Sequence, residues 1–124
     1  MHIDMNNSRK KSHQLHLDTD PFERIRSGVK TVECRLLDEK RKSYAVGDSL
    51  QFIHRGDGSE TIVATIIYLH KEKSFQDLFR NYALQAKVGN TDTQYLVDGM
   101  TKYYSKEEQI KFGVVGIEFV INGT

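Results

Sequence analysis

Apolar and polar residues alternate in several separate stretches of the chain, and that period of two is the mark of half-buried strands. His13-Gln14-Leu15-His16-Leu17-Asp18 sets Leu15 and Leu17 on one side. Thr31-Val32-Glu33-Cys34-Arg35-Leu36 sets Val32, Cys34 and Leu36 against Thr31, Glu33 and Arg35. The pattern predicts strands near 13–18, 30–37, 49–54, 60–70 and 113–121. Gly47-Asp48 turns the chain into the third strand. Arg55-Gly56-Asp57-Gly58-Ser59, rich in residues that tolerate positive φ, makes a hairpin tip before the fourth.

Between the strands the period lengthens. Asp20-Pro21-Phe22-Glu23 reads as a helix start, with Asp20 as cap, Pro21 at the first position and Glu23 closing a capping box. Phe22, Ile25 and Val29 supply the buried stripe, and Gly28 ends the helix in a left-handed cap, giving a helix over 20–27. Ser74 caps a second helix over 74–83 that buries Phe75, Leu78 and Phe79. A third runs from Thr91 to Met100, and Ser105-Lys106-Glu107-Glu108 caps one more turn. Asp38 to Ser43 is a charged turn. Residues 1–12 are polar and aperiodic and read as a flexible tail, leaving 13–124 as one domain. Five strands with short helices between them predict an α+β architecture around a curled or closed sheet.

Composition narrows the function. Of 124 residues, 38% are hydrophobic and 28% charged, which suits a single folded domain rather than a disordered chain. Eighteen Lys and Arg stand against seventeen Asp and Glu, so no global field draws the protein to duplex nucleic acid or a membrane surface. One cysteine excludes an internal disulfide framework and a Cys-based zinc site. There is no apolar run of membrane-spanning length and no apolar leader, so a soluble, cytoplasmic protein is expected.

The chemistry-bearing residues cluster around the second strand. Glu33 and Arg35 share one strand face, about 7 Å apart along the backbone. If that face turns inward, both charges need partners: each other, Lys30 or a ligand. Glu33 can accept from an exocyclic amine, whereas Arg35 can fork onto a phosphate or carbonyl oxygen. Lys30 can serve as a base only if burial lowers its pKa toward neutrality. Arg41, from the run Lys40-Arg41-Lys42, is a candidate phosphate contact, and Tyr104, beside Tyr103, offers a stacking face. The histidines lack metal-ligand spacing; His16 with Asp18 and Asp20 is the nearest approach to a cation site, and capping accounts better for Asp20. No phosphate-binding loop or Ser-His-Asp order occurs, so no metal and no cofactor is expected.

Three blocks in order, Leu15-x-Leu17-x-x-x-Pro21-Phe22, Ser27-Gly28-Val29-Lys30-Thr31-Val32-Glu33-Cys34-Arg35-Leu36 and Val46-Gly47-Asp48-x-x-x-Phe52, resemble an ASCH domain of the PUA-like superfamily. The ending, Tyr103-Tyr104-Ser105 through Phe112-Gly113-Val114-Val115-Gly116-Ile117, is similar too. The resemblance implies a PUA-like small β-barrel of about five or six strands with short helices packed around it, and a cleft beside Lys30–Arg35. It further implies an RNA- or nucleotide-related role. One branch of the family hydrolyses N4-acetylcytidine with a lysine, a threonine three positions later and a glutamate from a later helix. Lys30 matches the lysine, and Glu33 stands where the threonine would be. The expected function is therefore a module binding RNA, a nucleoside or a nucleotide through Lys30, Glu33, Arg35, Arg41 and Tyr104. The alternative is a small hydrolase in which Lys30 and Glu33 activate water.

Overall fold

The computed structural model describes residues 10–123. Five strands form one sheet: β1 (Ser12–Leu17), β2 (Val32–Leu36), β3 (Ser49–His54), β4 (Thr61–Glu72) and β5 (Val114–Ile121), in the order β1-β3-β4-β5-β2. β1 runs parallel to β3, and the β3–β4, β4–β5 and β5–β2 pairs are antiparallel. The sheet curls into a half-barrel whose two edges are the first two strands of the chain. Its α+β class and barrel-like form agree with the sequence reading. β1 begins one residue early, because Lys11 and Ser12 already join β3: Ser49 N donates to Lys11 O at 2.8 Å, and Lys11 N donates to Asp48 Oδ1 at 3.2 Å. The first nine residues of the expected tail lie outside the described residues.

Six helices are present among the described residues: α1 (Thr19–Arg26), α2 (Glu39–Lys42), α3 (Phe75–Leu78), α4 (Tyr82–Val88), α5 (Thr93–Thr101) and α6 (Lys106–Phe112). Several differ from the sequence reading for identifiable reasons. α1 starts at Thr19, so Asp18 takes the cap position and Asp20 falls in the first turn. Gly28 does adopt φ 85° just past the helix, but Val29 beyond it is 55% exposed and not part of the core. The charged segment after β2 winds into the one-turn α2 because Asp38 accepts from Arg41 N at 3.1 Å. The single helix expected over 74–83 is two helices. Ser74 caps α3, and Asn81 starts α4 by accepting from Leu84 N at 3.1 Å. At the β3–β4 tip, Gly56 and Gly58 keep negative φ, and Asp57 instead holds the turn by accepting from Ser59 N at 3.0 Å.

Register fixes which side chains face the core. Leu15 pairs with Phe52 and Phe52 with Ile62; Leu50 pairs with Ala64; Ile117 pairs with both Leu69 and Glu33; Val115 pairs with Arg35. Directly paired residues project to the same side of a sheet. The inner face is therefore apolar through Leu15, Phe52, Ala64, Ile66, Ile117 and Phe119, closed at one end by Phe22 and Ile25 of α1, until β2 contributes Glu33 and Arg35. The opposite face of β2 carries Val32, Cys34 and Leu36 into a second core with Phe75, Leu78 and Phe79, Leu84 and Val88 of α4, and Val114.

The two layers pack tightly around Gly116, where a Cβ would lie 3.3 Å from Val32 Cγ1 and 3.6 Å from Leu78 Cδ1. Gly116→Val should overpack this contact and cost about 1–3 kcal/mol. In thermal unfolding the midpoint should fall by roughly 5–15 °C. Gly99→Ala, in α5 with nothing within 4 Å of the new methyl, should instead hold or raise the midpoint.

Candidate functional site

Glu33 lies at the centre of a three-membered ion cluster on the inner face of β2. Lys30, in the loop between α1 and β2, brings Nζ to 2.9 Å from Glu33 Oε1. Arg35 Nη2 and Nε each donate to Glu33 Oε2 at 2.9 Å. The three side chains are 15%, 7% and 14% exposed in chain order from Lys30. The loop that aims Lys30 is itself pinned at both ends. Lys30 N donates to Arg24 O at 3.0 Å, and Thr31 N donates to Lys87 O at 2.7 Å.

The electrostatics follow from that geometry. Burial alone would raise the Glu33 pKa, but the charges and hydrogen bonds of Lys30 and Arg35 hold it below the ordinary 4.5. For Lys30 burial opposes the charge, and the Glu33 carboxylate more than reverses this, raising its pKa above the ordinary 10.5. Both groups are therefore ionised at neutral pH, and the cluster carries a net positive charge. Cys34, facing the helical layer between them, is pushed up to about 12 by burial and stays a neutral thiol.

Beside the cluster lies a cavity of about 210 Å³. Its lining joins the two sheet edges, with His16 and Leu17 of β1 and Glu33, Cys34 and Arg35 of β2, so it fills the seam where the half-barrel stops short of closing. Phe79, Leu96 and Met100 form an apolar wall from the helical layer, and Tyr103 and Tyr104 stand beside them. Tyr104 is fixed by stacking on Phe75 with ring centroids 5.9 Å apart, whereas Tyr103 is 73% exposed.

Of the residues singled out from sequence, Lys30, Glu33, Arg35 and Tyr104 all line this cavity. Arg41 does not; its guanidinium pairs with Asp38 at 3.1 Å, next to Tyr44, whose hydroxyl feels both Arg41 and Arg35. Of the residues at the β1 end of the cavity, sequence reasoning weighed His16 and Asp18 only as a cation site and missed Arg55. Arg55 arrives there because Leu17 pairs with His54 in the parallel β1–β3 ladder, a pairing with no local signal. Leu96 and Met100, four apart on α5, fall within the helix expected from Thr91 to Met100 but were not read as a wall of the site.

Glu33→Gln removes the anion that both buried cations share, and should cost about 3–5 kcal/mol at neutral pH. The pH dependence has a definite sign. A carboxyl whose pKa is lowered on folding contributes stability above its unfolded value near 4.5, and loses it as pH falls through the folded value. The difference between wild type and variant should therefore narrow between neutral pH and about pH 3. Urea unfolding at the two pH values measures it, with an unchanged denaturant slope showing that the same surface is exposed.

Comparison with known proteins bears on this arrangement. The family model for the ASCH domain matches residues 15–122. The fold is similar to the crystal structure of the hypothetical protein PH0355, with TM-score 0.75 and 26% identity over 90% of this chain and 98% of that one. It is also similar to the solution structure of protein PF0455 from Pyrococcus furiosus, with TM-score 0.69 and 24% identity over 92% and 99% of the two chains. An ASCH domain from Lactobacillus crispatus shares the fold at TM-score 0.61 and 14% identity, over 98% of this chain and 86% of that one. No curated protein matches the sequence. With the family model spanning almost all of the sheet and the helices around it, the chain belongs to the ASCH domain family.

Proposed function

We propose that this ASCH domain is a binding module for a single nucleobase, presented by a nucleoside, a nucleotide or an unstacked residue of single-stranded RNA. The observation that carries the reading is the seam cavity, with an apolar, aromatic wall on one side and the Lys30–Glu33–Arg35 cluster on the other. At about 210 Å³ it falls below the ~300–1,000 Å³ of clefts for drug-sized ligands, which suits one small heterocycle. Tyr104 and the apolar wall give a planar ring a stacking and burial surface, as in single-strand recognition. Lys30 and Arg35 keep N–H donors that Glu33 does not use, and these suit carbonyl oxygens or a phosphate. Glu33 is better suited to holding the two cations in place than to accepting from an exocyclic amine, since both of its oxygens are engaged. Arg41, outside the lining, serves this reading as a phosphate contact for a strand leaving the cavity.

Hydrolysis by the same cluster is the weaker reading. Lys30 is held protonated and has no lone pair to act as a base. Glu33 is a carboxylate stabilised by two cations, and at its position a hydroxyl nucleophile is absent.

A thermal-shift panel of nucleosides, mononucleotides and short single-stranded RNAs tests the binding. A true ligand at 100 times its Kd should add ~2.7 kcal/mol of stability. Lys30→Met, which leaves Glu33 paired with Arg35, should weaken that ligand by at least ~10-fold, the worth of one charge-assisted hydrogen bond. A panel without any saturable shift, or a Kd indifferent to Lys30→Met, would overturn the reading. N4-acetylcytidine should come through incubation intact by chromatography; turnover at ~1 per second or faster would transfer the site to the hydrolase class.

A further inference from the structure

A second constellation lies at the C-terminal end of β1, beside the near end of the cavity but apart from the Lys30–Glu33–Arg35 cluster. Thr19 Oγ1 is 2.8 Å from His54 Nε2, and His54 Nδ1 is 3.1 Å from Glu60 Oε1. With the ring proton on Nδ1, the imidazole donates to the carboxylate and accepts from the hydroxyl. That is the nucleophile–base–orienter arrangement of covalent acyl-transfer sites. The imidazole is held in plane from two further directions. It stacks on Phe22 with centroids 5.1 Å apart, and Arg26 Nη2 donates to Glu60 Oε2 at 2.6 Å, fixing the orienting carboxylate. His54 is 9% exposed, whereas Thr19 is on the surface.

The hydroxyl also sits beside unused donors. Thr19 opens the eight-residue α1, and the Asp18 side chain makes no capping hydrogen bond; it pairs instead with Arg55 at 3.2 Å. The N–H groups of Thr19 and Asp20 have no protein acceptor among the described residues. They stand at the positive end of the helix, next to the oxygen that would attack. Asp18, Pro21 and Arg55, sequence neighbours of Thr19 and His54, line the near end of the cavity and offer a recess for the rest of a substrate.

We propose that Thr19, His54 and Glu60 form an acyl-transfer site acting on small carboxylic esters. Thr19 Oγ1 bonds to the ester carbonyl carbon as its proton passes to His54 Nε2. The resulting oxyanion rests against the N–H groups of Thr19 and Asp20. The bond from that carbon to the alcohol oxygen then breaks, and the alkoxide takes the proton from Nε2. Water attacks the acyl-threonine, gives a proton through Nε2 back to Thr19 Oγ1, and releases the carboxylic acid. The sum is ester plus water to acid plus alcohol, with nothing oxidised or reduced. Thr19 and His54 touch the reacting atoms, and Glu60 is a positioning residue.

The test uses the full chain with p-nitrophenyl acetate as probe, following p-nitrophenolate release together with the intact mass and peptide map of the acylated protein. The wild type should release p-nitrophenolate catalytically and carry an acetyl group on Thr19 during turnover. Thr19 is exposed, so Thr19→Val should fold normally while losing at least ~100-fold in rate. Thr19→Ser should retain activity. Glu60→Gln should lower kcat without changing KM. Acetylation at another residue, or a Thr19→Val variant as active as the wild type, would overturn the proposal.

Discussion

A buried carboxylate shared between two cations is the constraint around which the rest of the fold is arranged. Glu33 is almost wholly buried, and taking it from solvent is costly unless its charge is matched at close range. Lys30 and Arg35 match it from the same short stretch of chain, one from the loop before β2 and one two residues further along the strand. This requirement dictates the neighbourhood. The loop must be anchored so that Lys30 reaches Oε1, which the bonds from Lys30 N to Arg24 O and from Thr31 N to Lys87 O accomplish. The strand must sit at the margin of the inner face, because a fully surrounded position would leave the surplus positive charge no contact with solvent or ligand.

The surplus charge sets the chemistry available to the cavity. One carboxylate against two cations leaves unused N–H donors beside an apolar, aromatic wall, the combination on which the proposed binding of flat, oxygen-bearing rings rests. The same balance keeps both ionisable members of the pair charged through the neutral range, so proton transfer is not what this cluster is built for. If this chain carries out bond-breaking chemistry, the Thr19–His54–Glu60 constellation has the arrangement that the cluster lacks.

Much of this was written in the alternation of the sequence. All five strands lie close to their expected spans, because Leu, Val, Ile and Phe at every second position identify a sheet face without reference to anything distant. The residues of the cluster could be named for the same reason: Glu33 and Arg35 alternate against Val32, Cys34 and Leu36. Alternation does not say which face turns inward, and for β2 both do, toward different cores. That depended on the Ile117–Glu33 and Val115–Arg35 pairing with a strand some eighty positions later. The misplaced helix boundaries have a local cause instead. Asn81 offers the same capping chemistry as Ser74, so the chain starts a new helix where the apolar spacing alone would have continued the old one. The His54 constellation escaped the sequence reading because Thr19 reaches His54 only through the parallel β1–β3 ladder, while Glu60 comes to it across the β3–β4 hairpin.

The open seam has a further consequence, for association between molecules. Edge strands carry unpaired backbone groups that invite other chains to add on, and a half-barrel has two such edges. Here both edges border the same cleft, so the rows of free N–H and C=O groups do not lie on opposite flanks of a flat sheet. Glu33 and Arg35, turned inward on one of those edges, are the kind of charged residues that make an invading hydrophobic strand pay a desolvation cost. An unclosed barrel can thus keep a ligand-sized gap in its wall without that gap becoming a template for fibre growth.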